Sequence, residues 1–84
     1  MSSEINRAKE LVERWFKSYA EKADETAVEL FSDDIEVIDS WANSMLMAGR
    51  ISNEEYWDLI TFCEEKLEEL KRLAGVESLD MRFK

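Results

Sequence analysis

The sequence has no histidine and no proline, two glycines and one cysteine, and each shortage closes off a class of function. Without histidine there is no imidazole for acid–base work near neutral pH, and the commonest transition-metal ligand is missing. A lone cysteine, Cys63, cannot form an internal disulfide, so nothing points to an oxidising compartment and the cytoplasm is the expected location. The glycines, Gly49 and Gly75, lie too far apart to build a phosphate-cradling loop. No apolar run reaches the ~18 residues of a membrane span. Residues 1–5 lack the basic-then-apolar order of a signal peptide, so neither a membrane segment nor a secretory leader is expected.

Cations are the other scarce group. Lys and Arg number 11 against 20 Asp and Glu, for a formal charge of -9. Residues 1–22 hold five basic and four acidic groups, whereas residues 23–70 hold only Arg50 and Lys66 against fourteen acids. Residues 71–84 return to four basic and two acidic groups. Between Lys22 and Arg50 there is no cation at all. Such a field repels nucleic acid and anionic membrane and speeds encounter with basic surfaces. The plainer reading is that acidity keeps a small protein soluble.

What is present argues for a folded chain. Hydrophobic residues make up 45% of it and aromatics 11%, too many for an acidic disordered tail. The length supports a single domain over 1–84 with one small core. Over 4–22, Ile5, Ala8, Val12, Trp15 and Tyr19 recur at helical steps, with Leu11 and Phe16 widening the stripe. Glu10–Arg14 and Glu13–Lys17 are spaced as favourable (i, i+4) pairs, and Ser2 or Ser3 is placed to cap the start. Asp24 is placed to cap a short helix over 25–31. Ser32-Asp33-Asp34 then reads as a new helix start, with a third helix over 33–48 ending at Gly49 in a left-handed cap position. Ile35, Ile38, Trp41, Ala42, Met45 and Leu46 lie on one side of it, and Met47 lies opposite. Ser52-Asn53-Glu54-Glu55 is a capping box, with Ile51 placed to staple against Tyr56. A fourth helix over 53–74 carries Tyr56, Leu59, Ile60, Cys63, Leu67, Leu70 and Ala74 on one face and stops at Gly75. The connection is short, so the last two helices should form an antiparallel hairpin. Leu79, Met81 and Phe83 alternate with Asp80, Arg82 and Lys84, which is strand spacing in an extended tail.

The expected fold is therefore all-α: three long helices, one short one and the tail. The alternative is a small α+β domain with strands near 34–39 and 78–83. Leu11-Val12-Glu13-Arg14-Trp15-Phe16-Lys17-Ser18-Tyr19, then Ala27-Val28-Glu29-Leu30-Phe31, then Ser32-Asp33-Asp34-Ile35-Glu36-Val37 resembles the opening of the nuclear transport factor 2-like (SnoaL-type) family. That resemblance implies the α+β alternative and a truncated ligand-binding domain, and it transfers no catalytic residue. The run from Met45 to Tyr56 is similar to the helix–turn–helix of SHOCT-type segments. At 34–40 the residue spacing favours helix, since Ile38, Trp41, Ala42 and Met45 continue only at helical intervals.

Each candidate site has a plainer counterpart. Cys63, beside Glu64 and Glu65, lacks the cationic neighbour a reactive thiol needs and reads as core. Asp33, Asp34, Glu36 and Asp39 do not follow a calcium-loop pattern, so no metal, cofactor or catalytic residue is expected. Trp57 falls off the apolar face of its helix between Glu64 and Glu68, near Glu54. Its readings are an interface anchor, or a ring covered by another helix or by Phe83. Glu54, Asp58, Glu65 and Glu69 follow one helical side, with Glu64 and Glu68 beside it. Carboxylates one turn apart lie about 6 Å from each other, near the ~7 Å between successive phosphates of a nucleic-acid strand. In size and charge the chain is similar to small acidic inhibitors such as anti-CRISPR and anti-restriction proteins and uracil-DNA glycosylase inhibitors.

The expected function is a non-enzymatic module docking on a basic protein surface, in its sharpest form a DNA-mimicking inhibitor of a nucleic-acid-processing protein. Its partner-binding residues are Glu54, Trp57, Asp58, Glu64, Glu65 and Glu68, with Asp33, Glu36 and Asp39 as a second patch. Direct binding to nucleic acid or membrane is not expected. The competing reading is a homo-oligomeric structural subunit that buries Trp57, Met47 and the 79–83 segment against a copy of itself.

Overall fold

A continuous apolar stripe through Val28, Phe31, Ile35, Ile38, Ala42 and Met45 decides the architecture. In the computed structural model, which describes residues 3–75, this stripe lies on one uninterrupted helix. The helices are α1 (Ser3–Ala20), α2 (Glu25–Met47) and α3 (Asn53–Ala74), and the described residues contain no strand. The all-α expectation holds, with one correction: the short helix at 25–31 and the third at 33–48 are a single helix. Ser32 and the acids after it carry a start signal, but no glycine or proline interrupts the helix there, and the stripe runs through it in phase. Residues 34–39, the first strand of the α+β alternative, sit inside α2. The 78–83 segment lies outside the described residues.

The helix ends form as the sequence prescribes. Asp24 is extended and its Oδ1 accepts a 2.8 Å hydrogen bond from the Ala27 N–H. At the other end of α2, Gly49 has φ 75°, the Gly49 N–H donates to Leu46 O, and the Arg50 N–H donates to Met45 O. That pair of bonds is the Schellman closure, which asks for a left-handed residue where glycine stands. Ser52 then caps α3: its Oγ accepts from the Glu55 N–H at 3.1 Å while Glu55 Oε1 accepts from the Ser52 N–H at 2.9 Å. Gly75, also at φ 75°, closes α3. At the start of α1, Ser3 is already helical, and Ser2 lies outside the described residues.

Connections of four and five residues join the helices as an up–down–up bundle, and each helix packs on both others. Val12, Phe31, Ala42, Leu59, Cys63 and Leu70 are fully buried, with Ile5, Ala8, Phe16, Val28, Ile38 and Ile51 around them. Side chains of this kind contribute about 1.5–3 kcal/mol each on burial. Phe31 is the hub, its ring 6.2 Å from Phe16 and 5.7 Å from Tyr19. Lys66 lies over the Phe16 and Phe62 rings at 5.1 and 5.5 Å, so the one cation in the middle of α3 faces α1 rather than the outer surface. No helix among the described residues is long and apolar enough to cross a membrane.

Candidate functional site

Because α3 packs on α1 and α2 through Leu59, Cys63 and Leu70, residues half a turn away must face outward. Asn53, Glu54, Trp57, Asp58 and Thr61 line one shallow depression of that outer face. Thr61, Glu64, Glu65, Leu67, Glu68 and Arg72 line the next, so Thr61 joins the two into a strip along the helix. All six α3 residues singled out from the sequence (Glu54, Trp57, Asp58, Glu64, Glu65 and Glu68) are exposed and lie in this strip. Trp57 is 60% exposed and touches its neighbour Tyr56 edge-on, with ring centroids 5.1 Å apart. Neither α1 nor α2 covers it, and Phe83 lies outside the described residues.

The charge of the strip is uneven. Asp58, on the edge facing α1, is ion-paired with Lys9. Glu68 pairs with Lys71 at 3.9 Å, and Arg72 closes the C-terminal end. Among the described residues no ion pair engages Glu54, Glu64 or Glu65, which leaves these carboxylates unneutralised beside Trp57 and in the turn after Thr61. The predicted Glu13–Lys17 pair forms at 3.8 Å on α1, away from the strip.

The second patch is differently placed. Asp33, Glu36 and Asp39 are exposed on α2, but three-residue steps turn them progressively around that helix. Asp39 faces α3, where its Oδ1 accepts a 3.0 Å hydrogen bond from the Tyr56 hydroxyl. Asp34, on the α1 side, accepts from the Tyr19 hydroxyl at 2.7 Å. Both tyrosines are held above their ordinary pKa, first by donating to these carboxylates and then by burial. The α2 acids thus serve interhelical contacts in part and do not join the α3 strip into one surface. Met47 is 80% exposed, opposite the apolar side of α2.

Cys63 is fully buried, and burial, with lesser contributions from Asp39 and Glu64, pushes its thiol up to about 11. A thiol held neutral in this way is a poor nucleophile. No group of three or more His, Cys, Asp or Glu side chains among the described residues could hold a metal ion.

Sequence reasoning missed a second surface. Between α1 and α2 runs an open groove of about 590 Å³ lined by Leu11, Trp15, Val37, Trp41 and Met45, with Glu4 and Arg7 at one end. Leu11 is 37% exposed and Val37 64%. The signal that marks it is arc width: α1 is apolar at 5, 8, 11, 12, 15, 16 and 19, a wider arc than the one neighbouring groove of a three-helix bundle covers. Compared with known protein families, curated proteins and solved structures, the chain matches none.

Proposed function

We propose that the protein is a non-enzymatic docking module that presents the outer face of α3 to a basic protein surface. The observation that supports this most is Trp57, a large ring exposed within a strip whose charged groups, Arg72 apart, are carboxylates. Leaving such a ring in water costs the bundle stability that burial would supply, and tryptophan is enriched among the residues that dominate binding energy. Glu54, Glu64 and Glu65 supply steering and orientation around it. Its sharper form is inhibition: a rigid row of carboxylates at roughly 6 Å intervals occupies the phosphate-binding groove of a nucleic-acid-processing protein. Asp33, Glu36 and Asp39 play a secondary part, since they lie on another helix.

The test is affinity capture from a host lysate with wild type, Trp57→Ala and Glu64→Lys/Glu65→Lys baits in parallel, then titration of the captured protein. Trp57→Ala should lower affinity by about 2 kcal/mol, roughly thirty-fold, and the double reversal by about tenfold with a weaker salt dependence. Both variants should keep the wild-type helical circular dichroism. Capture that neither variant diminishes overturns the reading. Competition by duplex DNA separates the mimicry form from docking elsewhere on the same partner.

A further inference from the structure

We infer that the α3 strip receives an arginine of its basic partner, with the guanidinium stacked on the Trp57 indole and paired with Glu54. The inference rests on the docking reading and names the group that the strip takes. The molecule contains an internal example of the same arrangement. On the α1 side of α3, Lys9 is ion-paired with Asp58 and lies 5.8 Å from the centre of the Phe62 ring. Asp58 stands four residues before Phe62, so a ring and a carboxylate one helical turn apart hold a cation between them. Glu54 stands three residues before Trp57, and both line one depression with Asn53, Asp58 and Thr61. Helical side chains lean toward the N-terminus, which lays the indole over the turn that carries Asn53 and Glu54. Among the described residues no cation lies over Trp57 and none pairs with Glu54. The two cations of the acidic middle of the chain are engaged elsewhere, Lys66 on the Phe16 and Phe62 rings and Arg50 with Glu4.

The chemistry selects arginine over lysine. A guanidinium is planar and weakly hydrated, so it lies flat on an indole while its N–H groups still point sideways at a carboxylate. An ammonium is a compact, strongly hydrated charge, and a ring on one side displaces water that its donors would otherwise keep. Lys9 reaches its ring from a neighbouring helix that is already held in place, whereas a partner's side chain arrives from solvent. Trp57 is 60% exposed and carries the ring type that attracts cations best. Lys9 already neutralises Asp58, which leaves Glu54 as the carboxylate that answers the guanidinium. Asn53 adds a neutral acceptor beside it. Glu64 and Glu65 lie farther along the strip without such a ring, so they draw basic groups in but do not choose between them.

Blocked hexa-arginine and hexa-lysine peptides are the probes, titrated at low salt into the nitrogen-15-labelled full chain. Three tryptophans give three indole N–H signals, and the one lost in Trp57→Leu identifies the ring. Hexa-arginine should shift that signal and bind at least about threefold tighter than hexa-lysine. Trp57→Leu should shrink the preference at least about twofold, because both peptides then meet carboxylates alone. Glu54→Gln should weaken hexa-arginine more than Glu69→Gln, an equal change of charge farther from the ring. All three side chains are exposed, so each variant should keep the wild-type helical signal. The inference is overturned if the preference is the same in wild type and Trp57→Leu, or if the Trp57 indole stays put at saturation. It is equally overturned if Glu54→Gln and Glu69→Gln act alike. In each of these cases, amide shifts running from Glu54 to Glu68 leave the docking reading standing. Shifts nowhere in the strip with either peptide overturn both.

Discussion

Cys63 shows how far a single side chain can be understood from its surroundings. It sits at zero exposure between Leu59 and Leu70 on the inner face of α3, and its thiol is held at about 11 rather than the ordinary 9.0. The unfolded chain loses that proton near the ordinary value, the folded chain only near 11. Between those pH values the unfolded state binds fewer protons, and stability falls as pH rises. The loss is at most on the order of 2 kcal/mol. Urea midpoints of wild type and Cys63→Ala should thus converge as pH rises from about 8.5 to about 11, because tyrosines and lysines titrate alike in both. Parallel pH profiles would mean the thiol is more hydrated than its position implies. Burial of Cys63 was legible in the sequence because one apolar face and two flanking glutamates left it a single role. Spacing turns Trp57 off that face, but leaves open whether a neighbouring element covers the ring; its 60% exposure follows from how the helices pack. The same holds for Trp15 and Trp41: helical spacing tells which way a ring points, and says nothing of whether a neighbouring helix is wide enough to cover it.

Among elements, the α2–α3 hairpin is the most strongly encoded. Gly49 closes α2, Ser52 and Glu55 open α3, and Ile51 between them is 5% exposed with Tyr56 packed on the same core. Two substitutions separate backbone from side-chain causes. A Cβ at Gly49 would meet nothing within 4 Å, so Gly49→Ala should cost about 1 kcal/mol through its left-handed backbone alone. Ser52→Ala removes the hydroxyl that accepts from the Glu55 N–H and should cost about 1 kcal/mol. Denaturation midpoints check both, and Gly49→Asn should recover part of the first loss, since asparagine tolerates the left-handed region. The same local grammar misled at Ser32. A serine followed by acids is a valid helix start, yet a cap needs an adjacent stop. With Phe31 and Ile35 in phase on either side, the cheapest path for the backbone was to continue.

At the scale of the whole molecule, electrostatics acts in two opposed senses. A charge of -9 with fourteen acids concentrated in residues 23–70 repels itself in the compact state. The described ion pairs that offset this, Lys9–Asp58, Lys17–Glu13, Arg50–Glu4 and Lys71–Glu68, are largely exposed and contribute about 0–1 kcal/mol each. Net repulsion therefore outweighs pairing, and salt should stabilise the fold. Raising sodium chloride from about 20 mM to about 500 mM, where the Debye length shrinks from tens of ångströms to a few, should raise the thermal midpoint by several degrees. A fall in the midpoint would show that the pairs dominate. The proposed docking of the α3 strip on a basic partner should respond the other way, weakening as the field around Glu54, Glu64 and Glu65 is screened. One salt series, read once by melting and once by binding, thus separates the charge that burdens the bundle from the charge proposed to recruit a partner.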